Sequence, residues 1–310
     1  MHYNFDMPHN VGFVGVGTIG EPMAASLLRN GFNLTICTHI NPEPVDRLRA
    51  LGAQVVASPK DVGAVSEVVI TCVPNSPQVD EACLGPNGIA AGARPGTVIL
   101  DASTIAPTES QRIAAALKLK GIDFMDCPMS GGPARAKTGE LTFMVGGDAG
   151  AFEKALPVLQ GMGKSITHMG EVGSGEVVKL VNQAILASLM IGMAEAFTMG
   201  VKAGGDAMKM REVILKATGA NFLLENWIKD RMLKDDYTPG FATKLMQKDV
   251  GVVLETAAKL GVPMMLTGLA FQLFELSEGH GGSAMDYSAV ARFYQDAADI
   301  TIASGKKRKV

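Results

Sequence analysis

The sequence predicts an α/β fold, an N-terminal doubly wound parallel sheet followed by an all-helical C-terminal domain, and three observations predict it. Between residues 11 and about 145, short β-branched runs alternate with longer helical patterns, the order in which a parallel sheet is wound with crossover helices. After Gly170 the strand signals largely stop, and a proline-free apolar stretch over about 175–201 reads as one long helix. The 310 residues, 47% hydrophobic and 19% charged, suit two domains better than one or three.

Taken in order, residues 1–10 form an N-terminal extension, and Asn10 precedes the first strand candidate, VGFVGV. EPMAASLLRN follows as a helix, then FNLTIC, EVVITCV, GTVILDAS, GIDFMDCP and LTFMVGG as strands, with ESQRIAAALKLK among the helices between them. Gly, Pro and Asn clusters supply the breaks, and the first domain spans 11–170. The helical domain spans 171–304. Beyond the long helix, further helices are expected over 209–216, 221–233, 243–260 and 266–278, broken at Gly261-Val262-Pro263 and at Gly279-His280-Gly281-Gly282. Residues 305–310 are a basic tail ending KKRKV, read as a solvated charge run. There is no short-period repeat.

A formal charge of −3 offers no broad basic field for a polyanion, so nucleic acid is not an expected partner. No run of eighteen uninterrupted apolar residues occurs, and the start MHYNFDMPHN lacks a basic flank and an apolar stretch. A cytoplasmic protein without a membrane partner is the expectation. Cys37, Cys72, Cys83 and Cys127 lack a metal-ligand spacing, which points to buried thiols and no metal site. The 18 methionines read as adaptable core filler.

Gly15-Val16-Gly17-Thr18-Ile19-Gly20 stands directly after a strand and before a helix, the context of a Rossmann dinucleotide site. Gly15 allows the tight turn, Gly17 lets the backbone approach a pyrophosphate, and Gly20 lets helix and strand pack closely. The amides of Thr18, Ile19 and Gly20 at the helix start then face the anion. At the end of the second strand no Asp or Glu is present to bond a ribose hydroxyl. Thr38 and His39 stand there instead, and both can donate to a 2′-phosphate. NADP is therefore favoured over NAD, although the usual phosphate clamp is Arg, and His39 also reads as a solvated loop residue.

Three further segments carry polar or glycine-rich chemistry. Asp101-Ala102-Ser103-Thr104 ends a strand, where ligands of open α/β sheets gather. Ser130-Gly131-Gly132-Pro133 presents a hydroxyl and unobstructed amides suited to a carboxylate. Gly173-Ser174-Gly175 opens the long helix, on which Lys179, Asn182 and Gln183 share one face.

With GVGTIGEPMA, DASTIAP, DCPMSGGPARAKTGELTFMVGG, GSGEVVKLVNQ and KDVGVVLETAAKLGVP, the chain resembles the β-hydroxyacid dehydrogenase family over nearly its whole length. That family includes 3-hydroxyisobutyrate dehydrogenases and tartronate semialdehyde reductases. The resemblance implies that Lys179 is catalytic, that Ser130, Gly131 and Gly132 cradle the substrate carboxylate, and that Asn182 positions the substrate. It implies that Lys248 closes over the nicotinamide side, that Val73, Pro74, Gln78 and Thr104 contact the cofactor, and that the site is an interdomain cleft. Related proteins pair through the helical domain, so a homodimer or homotetramer is expected.

Two departures bear on substrate. Gln183 stands where many members have a second Asn, and Pro133-Ala134-Arg135 replaces smaller residues. Arg135 reads either as a substrate-carboxylate clamp or as a solvent-facing loop residue, and Trp227 either as a cleft residue or as packing. Hydride addition to a carbonyl leaves negative charge on oxygen, which a lysine ammonium stabilises and then protonates. The expected reaction is reversible interconversion of a short 3-hydroxy acid and its semialdehyde, running mainly as reduction with NADPH. An imine reductase, which Lys179 argues against, and a catalytically silent nucleotide-binding scaffold are the alternatives.

Overall fold

The computed structural model describes residues 10–38 and 40–307. Residues 1–9, His39 and the last three residues of the basic tail lie outside them. The chain forms two compact units, the first running through Lys179 and the second from Leu180.

The strands of the first unit are β1 (Asn10–Val14), β2 (Asn33–Cys37), β3 (Gln54–Val56), β4 (Val68–Thr71), β5 (Val98–Asp101), β6 (Asp123–Asp126), β7 (Met129–Ser130), β8 (Leu141–Gly146) and β9 (Gly163–Gly170). They form one sheet in the order β3-β2-β1-β4-β5-β6-β8-β7, with β9 beside β8. β1 to β6 pair in parallel, and Phe13, Ile36, Ile70, Leu100 and Met125 share one register row. β8 instead runs antiparallel to β6 and β7, so the parallel expectation holds for six strands and not for the far edge.

β3, β7 and β9 were not among the strand candidates. β3 is three partly exposed residues, β7 is two, and β9 alternates polar and apolar side chains because only one face packs. Period-two alternation is weak when the outer face is solvated.

Alternation along the central strands builds two cores. Val11, Phe13, Leu34, Ile70 and Leu100 pack on Met23 and Leu27 of α1 (Gly20–Arg29) and Leu48 of α2 (Pro42–Ala50). Val69, Ile99 and Phe124 point the other way, onto Val62 of α3 (Pro59–Val65), Val79 of α4 (Ser76–Leu84) and Ile113 of α5 (Pro107–Lys118). Each fully buried side chain of this size contributes about 1.5–3 kcal/mol. Asn41, Ser58 and Asn75 accept first-turn amides of α2, α3 and α4, and proline opens each of these helices, so the crossovers start where sequence chemistry requires. α6 (Gly132–Thr138) and α7 (Ala149–Gln160) complete the unit.

The long helix, α8 (Ser174–Lys202), starts in the first unit and carries on into the second. α9 (Ala207–Ile214), α10 (Phe222–Asn226), α11 (Thr243–Lys259), α12 (Met265–Ser277) and α13 (Ala291–Ala298) follow. Met190, Phe197, Met246, Val250, Phe274 and Tyr287 form their common core. The helix expected over 221–233 ends at Asn226 and breaks into two short 3-10 turns. Arg231 leaves helical dihedrals there, and Trp227 and Arg231 both reach the buried Asp286, indole Nε1 donating to Oδ1 at 3.0 Å and Arg231 Nε lying 3.6 Å from Oδ2. Satisfying a buried carboxylate outweighs continuing the helix.

Candidate active site

Val14, Thr71, Asp101 and Asp126 pair across β1, β4, β5 and β6 and close the C-terminal edge of the parallel sheet. From that edge run the segments that sequence chemistry singled out: Gly15 to Gly20 after β1, Thr38 after β2, Val73, Pro74 and Gln78 after β4, Thr104 after β5, and Ser130 to Gly132 after β6. The strand order reverses between β1 and β4, the point at which open α/β sheets bind ligands.

Gly15 has φ +100°, and a side chain there would strike the Cys72 carbonyl; one at Gly20 would strike the Gly15 carbonyl. A Cβ on Gly17 meets nothing within 4 Å. No side chain caps the N-terminus of α1, so its first amides can serve an anion. A tight turn, open space and an uncapped helix start together fit a dinucleotide pyrophosphate. Thr38 is exposed, and its hydroxyl donates to Ala57 O at 3.1 Å. That leaves it only acceptor capacity in this arrangement. His39, the other residue read for cofactor choice, lies outside the described residues.

A buried carboxylate network stitches the neighbouring loops together. Asp101 Oδ1 accepts from Thr71 Oγ1 at 2.7 Å and from Ser103 N at 3.2 Å, and Ser103 Oγ accepts from Val73 N at 3.0 Å. The segments bearing Val73 and Thr104 are thereby tied to each other. Burial pushes the Asp101 carboxyl up to about 6. Cys37, Cys83 and Cys127 are buried as expected, whereas Cys72 is partly exposed; desolvation, with Asp101 nearby, pushes its thiol up to about 12.

Ser130 ends β7, paired with Thr142. Gly131 has φ +131°, and an added Cβ would press on Arg135 Cβ and Cδ at 2.9 Å. The Arg135 stem thus lies against this loop. Arg135 itself is exposed, and with Lys164 and Thr138, the larger influences, it holds the Glu140 carboxyl below its ordinary value. Lys179 is only 8% exposed. The turn before it is anchored to the sheet: Asp126 accepts from Gly173 N at 2.7 Å and Glu176 N at 2.8 Å, and Glu176 Oε1 accepts from Ile105 N at 3.1 Å.

In the second unit, Asn182 Nδ2 donates to Gln183 Oε1 at 3.1 Å, Gln183 Nε2 donates to Asp249 Oδ2 at 2.6 Å, and Lys248 Nζ lies 2.6 Å from Asp249 Oδ1. Two residues that sequence reasoning singled out, Asn182 and Lys248, are linked by two that it gave no role. The signal for Gln183 was its place four residues beyond Lys179, and Asp249 simply adjoins Lys248. Trp227 packs against Tyr287 with ring centroids 5.7 Å apart and bonds Asp286, a core placement.

A glycine cradle at the switch point of a parallel sheet, followed by a helical unit, defines the class of nicotinamide-dinucleotide-dependent oxidoreductases. Comparison with known proteins narrows it. Residues 10–170 match the NAD binding domain of 6-phosphogluconate dehydrogenase, and residues 173–294 match the NAD-binding domain of NADP-dependent 3-hydroxyisobutyrate dehydrogenase. A 2-(hydroxymethyl)glutarate dehydrogenase of Eubacterium barkeri is 36% identical, covering 96% of this chain and 98% of its own. An NAD-dependent L-serine dehydrogenase of Pseudomonas aeruginosa is 38% identical over 92% of this chain and 97% of its own. The crystal structure of a 3-hydroxyisobutyrate dehydrogenase from Salmonella typhimurium superposes with a TM-score of 0.83 at 32% identity, covering 91% of this chain and 99% of that one. The chain belongs to the β-hydroxyacid dehydrogenase family and is an NAD(P)-dependent dehydrogenase acting on the hydroxyl group of small hydroxy acids. An imine reductase from Pseudomonas sp., 18% identical with a TM-score of 0.61, shares the fold alone.

Proposed function

We propose that the chain interconverts a short 3-hydroxy acid, HO–CH₂–CH(X)–COO⁻, with its semialdehyde, and that Lys179 exchanges the proton with the reacting oxygen. The observation that carries this reading is a lysine held almost entirely out of solvent, one turn beyond carboxylates that anchor α8 to the C-terminal edge of the sheet. The compounds in the names of the relatives, 2-(hydroxymethyl)glutarate, serine and 3-hydroxyisobutyrate, all contain this HO–CH₂–CH–COO⁻ unit. In this reading the Ser130 hydroxyl and the amides of Gly131 and Gly132 hold the substrate carboxylate. Asn182 orients the reacting oxygen, while Gln183 and Asp249 hold Asn182 and Lys248 by the bonds described.

Gly15, Gly17, Thr18, Ile19 and Gly20 would hold the pyrophosphate, with Val73, Pro74, Gln78, Thr104 and Lys248 along the rest of the dinucleotide. When bound, that cofactor accepts or supplies the hydride. Lys179 donates a proton to the developing alkoxide in reduction and takes it back in oxidation. NADP is favoured over NAD because the turn directly after β2, Thr38 to Asn41, carries no carboxylate to repel a 2′-phosphate. The exposed apolar residues Val181, Ile185 and Leu189 of α8 support assembly with further copies of the chain as a homodimer or homotetramer.

The test is cofactor turnover with NADPH and NADH against a panel of short 3-hydroxy acids and their semialdehydes. Turnover of one such pair is expected, with kcat/KM higher for the phosphorylated cofactor. Lys179→Ala should lower kcat roughly 10²–10⁴-fold with cofactor affinity intact. A Lys179→Ala variant that turns over normally overturns the role of the lysine, and a panel without a substrate overturns the substrate class.

A further inference from the structure

Asp126 and Glu176 are both fully buried, and neither belongs to the substrate or cofactor sets above. Asp126 closes β6, yet it caps a helix about fifty residues further along the chain through its bonds to the amides of Gly173 and Glu176. The backbone is fitted closely around this carboxylate. A Cβ on Gly146 would lie 2.5 Å from Asp126 Oδ1, and one on Gly175 would lie 2.9 Å from Oδ2 while striking the Met144 carbonyl. Glu176 in turn ties the same turn of α8 to Ile105, next to Thr104. Lys179 is three residues beyond Glu176, and residues at that spacing have Cβ atoms about 5–6 Å apart.

We infer that Asp126 and Glu176 are positioning residues for Lys179, fixing the first turn of α8 and holding the buried lysine toward its charged form. The inference rests on Lys179 being the proton-transfer group. A helix cap needs only an acceptor, which a neutral side chain supplies at far lower desolvation cost. Burial raises the Asp126 carboxyl, and the amides of Gly173 and Glu176 pull it part of the way back down; ionised, Asp126 and Glu176 supply charge as well, Glu176 from one helical turn before Lys179. Burial and the positive end of the helix both disfavour an ammonium there; the carboxylates offset this. Asp101 at the end of β5 and Cys127 after β6 are further titratable groups of this region. Burial raises the Cys127 thiol far above its ordinary value, followed by Asp126, Asp101 and Glu176, so all three carboxylates act on one region.

The experiment is the pH dependence of kcat in the oxidation direction, where neutral lysine is the active form, for wild type, Asp126→Asn and Glu176→Gln. Glu176→Gln keeps an oxygen that accepts the Ile105 amide and removes only charge. Loss of either negative charge destabilises the ammonium, so the lysine limb should move to lower pH by roughly half a unit to one unit. Asp126→Asn should in addition lower kcat by about tenfold or more, through displacement of the turn, with cofactor Kd unchanged. A folded variant whose limb superposes on that of wild type overturns the inference, and Glu176→Gln decides alone if Asp126→Asn does not fold. Lys179→Ala separates the two readings. If it retains turnover, the acid–base assignment fails and this inference with it; if it is inactive while the Glu176→Gln limb is unmoved, only the positioning role fails.

Discussion

Asp101 ends β5 fully buried, with Oδ1 doubly bonded and Oδ2 without a hydrogen-bond partner among the described residues. Burial raises its pKa from 3.8 to about 6. Between those values the folded chain binds a proton that the unfolded chain releases. The contribution of this group to stability is therefore fully present below the unfolded value and is lost as pH rises through about 6, an amount on the order of 3 kcal/mol. Asp101→Asn keeps an acceptor for Thr71 and Ser103 and removes the titration. Its stability relative to wild type should thus rise by about that amount between about pH 4 and pH 7 in urea denaturation. A difference that does not change with pH would mean that Asp101 does not titrate in this window. At this scale the glycines were legible in the sequence, because Gly15, Gly20 and Gly131 each occupy a place where a Cβ collides. The hydrogen bond of Thr38 to Ala57 was not, since its partner lies 19 residues away on another strand connection.

Among the elements, the segment around Trp227 shows where local pattern loses to tertiary demand. Residues 221–233 have a helical pattern, yet Asp286 draws the Trp227 indole and the Arg231 guanidinium out of it. Asp286 also accepts the amides of Gly240, Phe241 and Ser288, so it fixes the approach to α11, the helix that carries Lys248. Trp227→Phe keeps a ring against Tyr287 and deletes the Nε1 donor, leaving the other bonds in place. It should cost about 1–2 kcal/mol, read as a lower urea midpoint at unchanged slope. An unchanged midpoint would mean that the indole bond contributes nothing. The central strands were readable because each buries both faces, and α1 and α5 because each shows one clear apolar stripe, whereas the short helices α2, α3 and α4 were not singled out. β9 was not, because its exposed face is polar and its ladder partner, β8, is known only from the fold.

For the molecule as a whole, α8 is the telling element. With a mean hydropathy of 1.7 over an 18-residue window it is long and apolar enough to cross a bilayer. Ala187, Met190, Ala194, Phe197 and Val201 are instead buried in the core of the second unit. Its other face leaves Val181, Ile185 and Leu189 at 56%, 56% and 36% exposure, an apolar stripe at four-residue spacing that the proposed assembly of further copies would cover. Ile185→Asp should shift the sedimentation of the protein from an oligomer to a monomer, because an unpaired charge at the centre of such a face opposes closure. Sedimentation identical to that of wild type would remove this stripe from any subunit contact.

The sequence by itself determined the doubly wound domain, the glycine cradle, the long helix and the lysine upon it, because these depend on short-range periodicity, turn chemistry and helix spacing. Only the tertiary structure decided the antiparallel edge of the sheet, the broken helix at Trp227, the Asn182–Gln183–Asp249–Lys248 chain and the carboxylates that anchor the turn before Lys179. Each of these joins residues far apart in sequence, or turns on how a buried polar group finds its partner. Such pairings are settled by desolvation in the packed interior, where an unmet hydrogen bond costs more than a helix or strand preference can return.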